Sequence, residues 1–235
     1  MHIGILQAGH TPPELVEARG DFDAMFADLL AGHGFRFTSW DVERMDFPEG
    51  VHAAEGWLIT GSKHGAYEDH PFIPPLEAFV RRAHAARVPL AGICFGHQIV
   101  AQAMGGRVVK FPGGWSVGRR DYVTADGAPM ALNAWHQDQV VEPPETARTI
   151  LSNAFCTHAA LAYPHALTVQ PHPEFGNDLI GDYVATRRGT GTYPDALMEQ
   201  AARDVGRPTD RRAFGDAIAR FFLTGEVRLE APHAA

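Results

Sequence analysis

The chain has 235 residues, of which 45% are hydrophobic and 20% are charged, and this balance suits an α/β domain with a sizeable core. A formal net charge of −8 gives no indication of a nucleic-acid surface, and no apolar run approaches the ~20 residues of a membrane span. Two cysteines are too few for a disulfide framework, and the segment Met1–Gly4 leads into a strand pattern without a basic signal region. We therefore expect a cytoplasmic protein.

The first third of the chain predicts three strands and two helices. Strand patterns cover Ile3 to Ala8, Phe35 to Val42 and Trp57 to Thr60. A helix is predicted from the N-cap Asp21 through Leu30, because its apolar residues recur on one face. A second helix is predicted for Phe72 to Ala86, where it would cover the sheet.

The segment Val88–Met104 changes from a strand pattern to a helix pattern around a cysteine. Its sequence is V-P-L-A-G-I-C-F-G-H-Q-I-V-A-Q-A-M, in which Gly92 and Gly96 lie two positions either side of Cys94. This is the cysteine form of the G-x-S-x-G nucleophile elbow, and the positive end of a helix favours a thiolate. A free cysteine is more often an inert buried side chain, but the two glycines at a strand-to-helix turn favour a nucleophile.

The segment after this helix predicts several short strands. Arg107 to Phe111 and Arg120 to Thr124 are expected as antiparallel strands on either side of a glycine-rich loop. Asn133 to Asp138 follows a short apolar piece and indicates either a pocket wall or a structural turn. Three more short strands are predicted: Thr149 to Ser152, Leu161 to Tyr163 and Leu167 to Gln170.

A histidine and a carboxylate follow the last predicted strand, in the sequence Q-P-H-P-E. Gln170 and His172 each precede a proline, which favours extended backbone. Residues two apart in an extended chain point to the same side, so His172 and Glu174 should project together. A carboxylate beside an imidazole orients the base that a Cys94 nucleophile requires. A proline-rich surface loop is the alternative interpretation of this segment.

The remainder of the chain predicts three helices, over Leu179 to Arg188, Pro194 to Val205 and Asp210 to Phe222. This region contains no glycine-rich phosphate loop, so we expect no ATP-using synthetase domain in it. Cys156 and His158 lack further ligands at suitable spacing, and no metal site is expected. We expect residues 1–235 to form one domain, with a core of about 1–176 and a helical C-terminal extension, 177–235, that covers one sheet edge or carries a dimer contact.

The motifs G-I-C-F-G-H-Q and Q-P-H-P-E together resemble the class I (triad-type) glutamine amidotransferase family, and the resemblance covers roughly three quarters of the chain, from about Ile3 to Glu174. It implies a doubly wound, mostly parallel, flavodoxin-like α/β sheet flanked by helices, with the site at the strand C-terminal ends. It also implies that Cys94 is the nucleophile, His172 the general base and acid, and Glu174 its orienting group.

The resemblance implies an oxyanion hole between two loops. One N–H would come from the loop at Gly61 and Ser62, and the other from Phe95, directly after the nucleophile. The sequence departs here from the family's commonest form, because Ser62 replaces a second glycine and Lys63 replaces a proline. A serine still has its N–H, so we expect the hole to be retained, with Lys63 and His64 as solvated loop residues.

The resemblance also implies which residues line the substrate pocket. Gln98 would hold the α-amino acid end of the substrate. The loop at Trp115, Ser116 and Val117 would line the glutamine pocket, although the match there is weak, and His136 would form part of the wall.

These residues together predict a cysteine-nucleophile hydrolase. The resemblance implies that it cleaves the γ-amide of glutamine or of a γ-glutamyl compound through a γ-glutamyl thioester, releasing glutamate, with no cofactor. The substrate would be a small γ-glutamyl amide or peptide, with no nucleic-acid or membrane partner. The alternative is a glutaminase subunit that passes ammonia to a separate synthetase chain, and a homodimer is also compatible. The intact set Cys94, His172 and Glu174 argues against a non-catalytic binding module.

Overall fold

A computed structural model describes residues 1–229, in which strands and helices are interspersed up to Ala103, seven strands then follow in succession, and three helices come last. The strands are β1 (His2–Leu6), β2 (Arg36–Trp40), β3 (Gly56–Ile59), β4 (Leu90–Ile93), β5 (Arg107–Lys110), β6 (Ser116–Thr124), β7 (Pro129–His136), β8 (Asp138–Glu142), β9 (Arg148–Ser152), β10 (Ala160–Ala162) and β11 (Ala166–Val169). The helices are α1 (Pro13–Arg19), α2 (Phe22–Leu29), α3 (Ile73–Ala85), α4 (Phe95–Ala103), α5 (Asn177–Arg187), α6 (Asp195–Asp204) and α7 (Arg211–Thr224). None of these helices is both long enough and apolar enough to cross a bilayer.

The central sheet has nine strands in the order β2-β1-β3-β4-β11-β10-β9-β6-β7. Its first five strands are parallel, and β10, β9, β6 and β7 extend it with antiparallel pairings. The parallel strands β3, β4 and β11 end at the same edge, where parallel sheets commonly place their ligand sites. The predicted doubly wound α/β fold is confirmed.

Helices cover both faces of this sheet, and the side chains of β3 illustrate the division. Leu58 points into one apolar core, together with buried residues of α2, α5, α6 and α7. Trp57 and Ile59 point into the other core, together with buried residues of α3 and α4. This alternation follows from the two-residue period of a strand, and it explains why β3 is apolar at every position.

The pairing predicted around the glycine-rich loop is wrong. Strand β5 does not pair with β6 but forms a separate two-stranded sheet with β8, in which Val108 faces Val140. The second strand begins at Ser116 rather than Arg120, and it pairs with β7 along its length. Strand-forming residues in both segments were recognised, but a period-two pattern does not say which strand will be the partner.

The C-terminal helices contribute to both an edge and a face of the sheet. At the edge strand β7, Asp210 N donates to the carbonyl of Ala131 (2.7 Å), and Ala131 N donates to the Asp210 carboxylate (2.6 Å). These two bonds pair main-chain groups that an edge strand would otherwise leave open. In the expected extension, 177–235, residues 230–235 lie outside the described residues, and the division into core and extension stays a prediction.

Candidate active site

Cys94 lies in the sharp turn between β4 and α4. Its backbone has φ 53° and ψ −102°, a conformation that L-residues rarely adopt and that is found at functional sites. The Cys94 N–H donates to the carbonyl of Val169 at the end of β11 (2.8 Å), so a neighbouring strand holds the turn in place. This is the backbone geometry expected of a nucleophile elbow.

The two flanking glycines are required by close backbone approach. A Cβ on Gly92 would lie 2.5 Å from the carbonyl oxygen of Gly96, and a Cβ on Gly96 would lie 2.3 Å from that of Ile59. Real Cβ contacts are essentially never this short, and the obstructing atoms are main-chain atoms that cannot swing away. The pattern G-x-C-x-G therefore encodes the turn sterically.

His172 and Glu174 follow β11 and come together as the sequence predicted. The Nδ1 atom of His172 lies 2.6 Å from Oε1 of Glu174, and both side chains are almost completely buried. The His172 N–H donates to the Asn133 carbonyl (2.8 Å), and its ring stacks on Phe175 with centroids 3.9 Å apart. The carboxylate thus occupies Nδ1, which leaves Nε2 for a hydrogen bond with the thiol of Cys94.

The charge state of His172 is set by its buried partners. Burial by itself lowers the pKa of an imidazole, but Glu174 and Cys94 together outweigh burial and raise the pKa of His172 to about 10. Arg211 donates to the main-chain oxygens of Pro173 (3.1 Å) and Glu174 (3.2 Å), which braces the segment. A protonated imidazole between a thiolate and a carboxylate is the arrangement that cysteine-dependent acyl transfer uses.

The loop after β3 forms the opposite wall of this site. A Cβ on Gly61 would lie 3.0 Å from Cε1 of His172 and 3.7 Å from Cβ of Cys94, so the Gly61 backbone is next to both. Within residues 1–229, the N–H groups of Ser62 and Phe95 have no hydrogen-bond acceptor. Unpaired N–H groups next to a nucleophile are the donors an oxyanion requires.

A cavity of about 860 Å³ opens above Cys94 and His172. Its far wall is aromatic: Trp115 contacts Tyr193 (ring centroids 4.7 Å apart), and Trp135 Nε1 donates to the Tyr193 hydroxyl (3.0 Å). This wall was not predicted as a unit, because its residues come from β7, from the residue just before β6 and from the segment between α5 and α6. The sequence signal that could have indicated this wall was the presence of Tyr183 and Tyr193 in the expected C-terminal extension.

Arg187, at the end of α5, joins this aromatic wall. Its guanidinium lies 4.0 Å from the ring centroid of Tyr183 and 5.5 Å from that of Trp135. Its Nη1 atom is buried and has no hydrogen-bond partner among the described residues. The cavity therefore combines π-faces with an unsatisfied cationic donor, which suits a ligand that carries an anionic group.

The predicted pocket residues are not all at the cavity surface. Gln98, Trp115 and His136 line it. The Gln98 amide already donates to the carbonyl of Asp138 and to Gln170 (3.2 Å each). Ser116 is buried in β6, and the side chain of Val117 packs in the core on the helix α5 side of the sheet rather than in the cavity wall.

His136 is neutral at physiological pH. Burial, with the nearby charge of His172, lowers the pKa of His136 to about 3. Its Nδ1 lies 3.2 Å from the Asp138 carbonyl, which fixes Nδ1 as the protonated nitrogen. His136 therefore offers the cavity a neutral ring and does not act as a second cation there.

Comparison with known proteins identifies a family. Residues 44–187 match the family model described as glutamine amidotransferase class-I. A glutamine amidotransferase-like protein of Schizosaccharomyces pombe is 31% identical over 248 residues, covering 94% of this chain and 98% of the relative. Gamma-glutamyl peptidase 4 of Arabidopsis thaliana is 27% identical over 226 residues, covering 89% of this chain and 90% of the relative.

Two further matches extend this comparison. GMP synthase (glutamine-hydrolyzing) of Thermomicrobium roseum is 27% identical over 182 residues, covering 72% of this chain and 32% of the synthase. The crystal structure of a glutamine amido transferase from Methylobacillus flagellatus matches with a TM-score of 0.74 at 23% identity, covering 99% of this chain and 98% of the other. At that identity the structural match establishes the fold.

Proposed function

The chain belongs to the class I glutamine amidotransferase family, whose members act on C–N amide bonds, and we propose that within it this protein is a hydrolase of γ-glutamyl peptides. The observation that carries the proposal is the cavity of about 860 Å³ that runs from Cys94 to the aromatic wall. Pockets of this size accommodate ligands considerably larger than an amino acid. Release of ammonia from glutamine would leave most of that space unused.

The first half of the proposed reaction forms a γ-glutamyl thioester. The Cys94 sulfur attacks the γ-carbonyl carbon of the substrate, and His172 Nε2 holds the proton that the thiol has lost. The N–H groups of Phe95 and of Gly61 or Ser62 would stabilise the oxyanion, and each such donor is typically worth ~3 kcal/mol. His172 then donates the proton to the leaving nitrogen, the C–N bond breaks, and the amine departs.

The second half hydrolyses the thioester. Water attacks the same carbonyl carbon while His172 Nε2 takes its proton, and the oxyanion forms again at the same N–H groups. Collapse breaks the C–S bond, glutamate leaves, and the proton returns to the Cys94–His172 pair. Glu174 does not move a proton in this scheme: it holds Nδ1 of His172 and stabilises the imidazolium.

The aromatic wall supports a γ-glutamyl peptide as the substrate, with an amino acid as the leaving group. An amino acid released from a γ-glutamyl dipeptide carries a side chain, which would pack on Trp135 and Tyr193, and a free α-carboxylate. The buried, unpaired Nη1 of Arg187 is the available donor for that carboxylate. A similar protein, gamma-glutamyl peptidase 4 of Arabidopsis thaliana, acts by its name on γ-glutamyl peptides.

The alternative function is a glutaminase subunit that supplies ammonia to a separate synthetase chain. The similarity to part of a GMP synthase favours this candidate. Such a subunit would waste glutamine if it hydrolysed it alone, so it should be nearly inactive without its partner. The two functions therefore differ in what the isolated chain does.

The deciding experiment measures glutamate release by the purified chain from γ-glutamyl dipeptides and from glutamine, with Cys94→Ala as the control. We expect turnover of dipeptides without any partner, with a higher kcat/KM than for glutamine. In Arg187→Gln, KM should rise for a γ-glutamyl dipeptide but not for the same compound with its carboxylate amidated. Negligible dipeptide turnover, with glutamine hydrolysis appearing only after a partner chain is added, would establish the alternative.

Covalent labelling tests the nucleophile independently. A glutamine-like electrophile should label Cys94 and spare Cys156, because burial raises the pKa of the Cys156 thiol to about 12. Mass spectrometry of the labelled peptides gives the ratio directly. Equal labelling of the two thiols would contradict the assignment of Cys94.

A further inference from the structure

Three metal-ligating side chains converge in the loop between β3 and α3, and we name His64, Glu68 and His70 the loop cluster. Nε2 of His70 lies 2.9 Å from Oε2 of Glu68, and Nδ1 of His64 lies 3.7 Å from the same oxygen. One ligand atom from each residue lies within 4.8 Å of the others. Nothing in the proposed hydrolysis uses this cluster.

The spacing of the loop cluster agrees with tetrahedral coordination. Zinc binds histidine nitrogen and carboxylate oxygen at ~2.0–2.2 Å, so adjacent ligand atoms in a tetrahedral site are about 3.3 Å apart. The two observed separations, 2.9 and 3.7 Å, bracket this distance. The third separation, between the two histidine nitrogens, is below 4.8 Å. Ion binding would replace the present hydrogen bond between His70 and Glu68 with a bond from each residue to the ion.

A second observation concerns the other nitrogen of His64. Its Nε2 lies 3.0 Å from Oε1 of Glu43, a carboxylate that also forms an ion pair with Lys63 (N–O distance 3.3 Å). Metal-binding histidines characteristically use their remaining N–H in this way, and the partner carboxylate fixes the tautomer that presents the free nitrogen to the ion. Glu43 thus selects Nδ1 of His64 as the ligand atom.

The surroundings of the cluster also suit an ion. The buried ring of Phe72 lies beneath both imidazoles, with centroids 5.8 Å from His64 and 6.0 Å from His70, and it limits their movement. The side chains of Glu68 and His70 are 44% and 32% exposed, which leaves an entry path for a hydrated cation. The loop is held in its conformation by main-chain hydrogen bonds, such as the one that the Glu68 N–H donates to the Gly65 carbonyl (3.0 Å).

We propose that His64, Glu68 and His70 form a binding site for a divalent transition-metal ion of the zinc class, with one coordination position left open. Two nitrogens and one carboxylate favour zinc over magnesium or calcium, which prefer oxygen ligands. His64 and Glu68 also line the active-site cavity, so a bound ion would add positive charge to its wall. The ion would also tie together the loop that begins with Gly61 and Ser62.

The test measures zinc binding directly in the Cys94→Ala protein, because a reactive thiol would itself bind zinc. Equilibrium dialysis with metal analysis should show one zinc per chain, and Co²⁺ should produce the visible absorption of a tetrahedral site. His70→Asn and Glu68→Gln should each abolish this stoichiometric binding. Glu43→Gln should weaken it by about 10- to 100-fold, the usual effect of losing a carboxylate behind a ligand histidine.

The matched control is His52→Asn, which removes an exposed histidine outside the cluster. It should bind zinc as the Cys94→Ala parent does, and circular dichroism should show that all variants are folded. The proposal is overturned if the folded parent binds no zinc at micromolar concentrations. It is equally overturned if stoichiometric binding survives in both His70→Asn and Glu68→Gln, or if His52→Asn loses it to the same extent.

Discussion

Replacement of Glu174 by glutamine tests whether a carboxylate stabilises the imidazolium of His172. The Glu174 side chain is completely buried, and its Oε1 lies 2.6 Å from His172 Nδ1. Glutamine has nearly the same shape and keeps an oxygen that accepts from Nδ1–H. The substitution therefore removes the negative charge while it leaves the orientation of the ring intact.

The size of the effect follows from this contact. A hydrogen bond to a charged group contributes ~1.5–3 kcal/mol and a neutral one ~0.5–1.5 kcal/mol, and low local dielectric strengthens the charged form. We expect the barrier to rise by about 1–3 kcal/mol, which lowers kcat by about 5- to 150-fold. His172→Ala removes the acid–base group itself and should cost ~10²–10⁴-fold. Glu174→Gln should therefore be the milder of the two changes.

Two measurements check this reasoning. Initial rates of glutamate release by wild type, Glu174→Gln and His172→Ala give the order of the effects. An NMR titration of the imidazole in the Cys94→Ala protein should show a lower pKa for His172 once Glu174 is replaced, because burial then acts unopposed. A greater loss of activity in Glu174→Gln than in His172→Ala, or an unchanged pKa, would refute the role given to Glu174.

Three further predictions concern stability. Gly96→Ala should cost about 1–3 kcal/mol in urea unfolding, because the new Cβ would meet the Ile59 carbonyl at 2.3 Å, and a cost below about 0.5 kcal/mol would contradict this. Burial lowers the pKa of His97 to about 3. Between pH 6.5 and 3 His97 is therefore protonated in the unfolded chain but not in the folded one, so the free energy of unfolding decreases as the pH is lowered. His97→Gln should reduce that slope by up to ~1.4 kcal/mol per pH unit between pH 6.5 and 3, and identical slopes would be evidence against it. Asp210→Ala should cost about 1–3 kcal/mol in thermal unfolding, since it leaves the Ala131 N–H unpaired, and an unchanged Tm would exclude this role.

The sequence alone was sufficient to predict a structural feature where that feature depends on residues close together in the chain. The turn at Cys94 was predictable because Gly92 and Gly96 are the residues that its close backbone contacts require. Asp21 was recognised as an N-cap, and its carboxylate does accept from the Phe22 N–H (2.8 Å). In these cases the interacting atoms are a few residues apart, so residue type and spacing carry the information.

The sequence was insufficient where a feature depends on which distant segments meet. The strand pattern of β5 was clear, but its partner, β8, is set by packing between elements rather than by the pattern itself. Lys63 and His64 were expected to be solvated loop residues, and the Lys63 side chain is indeed 76% exposed, whereas that of His64 is only 18% exposed and contacts Glu43, about twenty residues earlier in the chain. No local signal in the chain indicates that such a carboxylate will lie nearby.

The candidate site shows the same division. Residue types and spacing indicated Cys94, His172 and Glu174 before the structure was known, because each lies in a short motif with its own chemistry. The cavity wall of Trp115, Tyr193 and their neighbours exists only because the segment after α5 folds back over β6 and β7. The motifs therefore determine the reaction that the site suits, whereas tertiary packing decides the shape and charge of the space offered to the leaving group, since those depend on contacts between residues far apart in the chain.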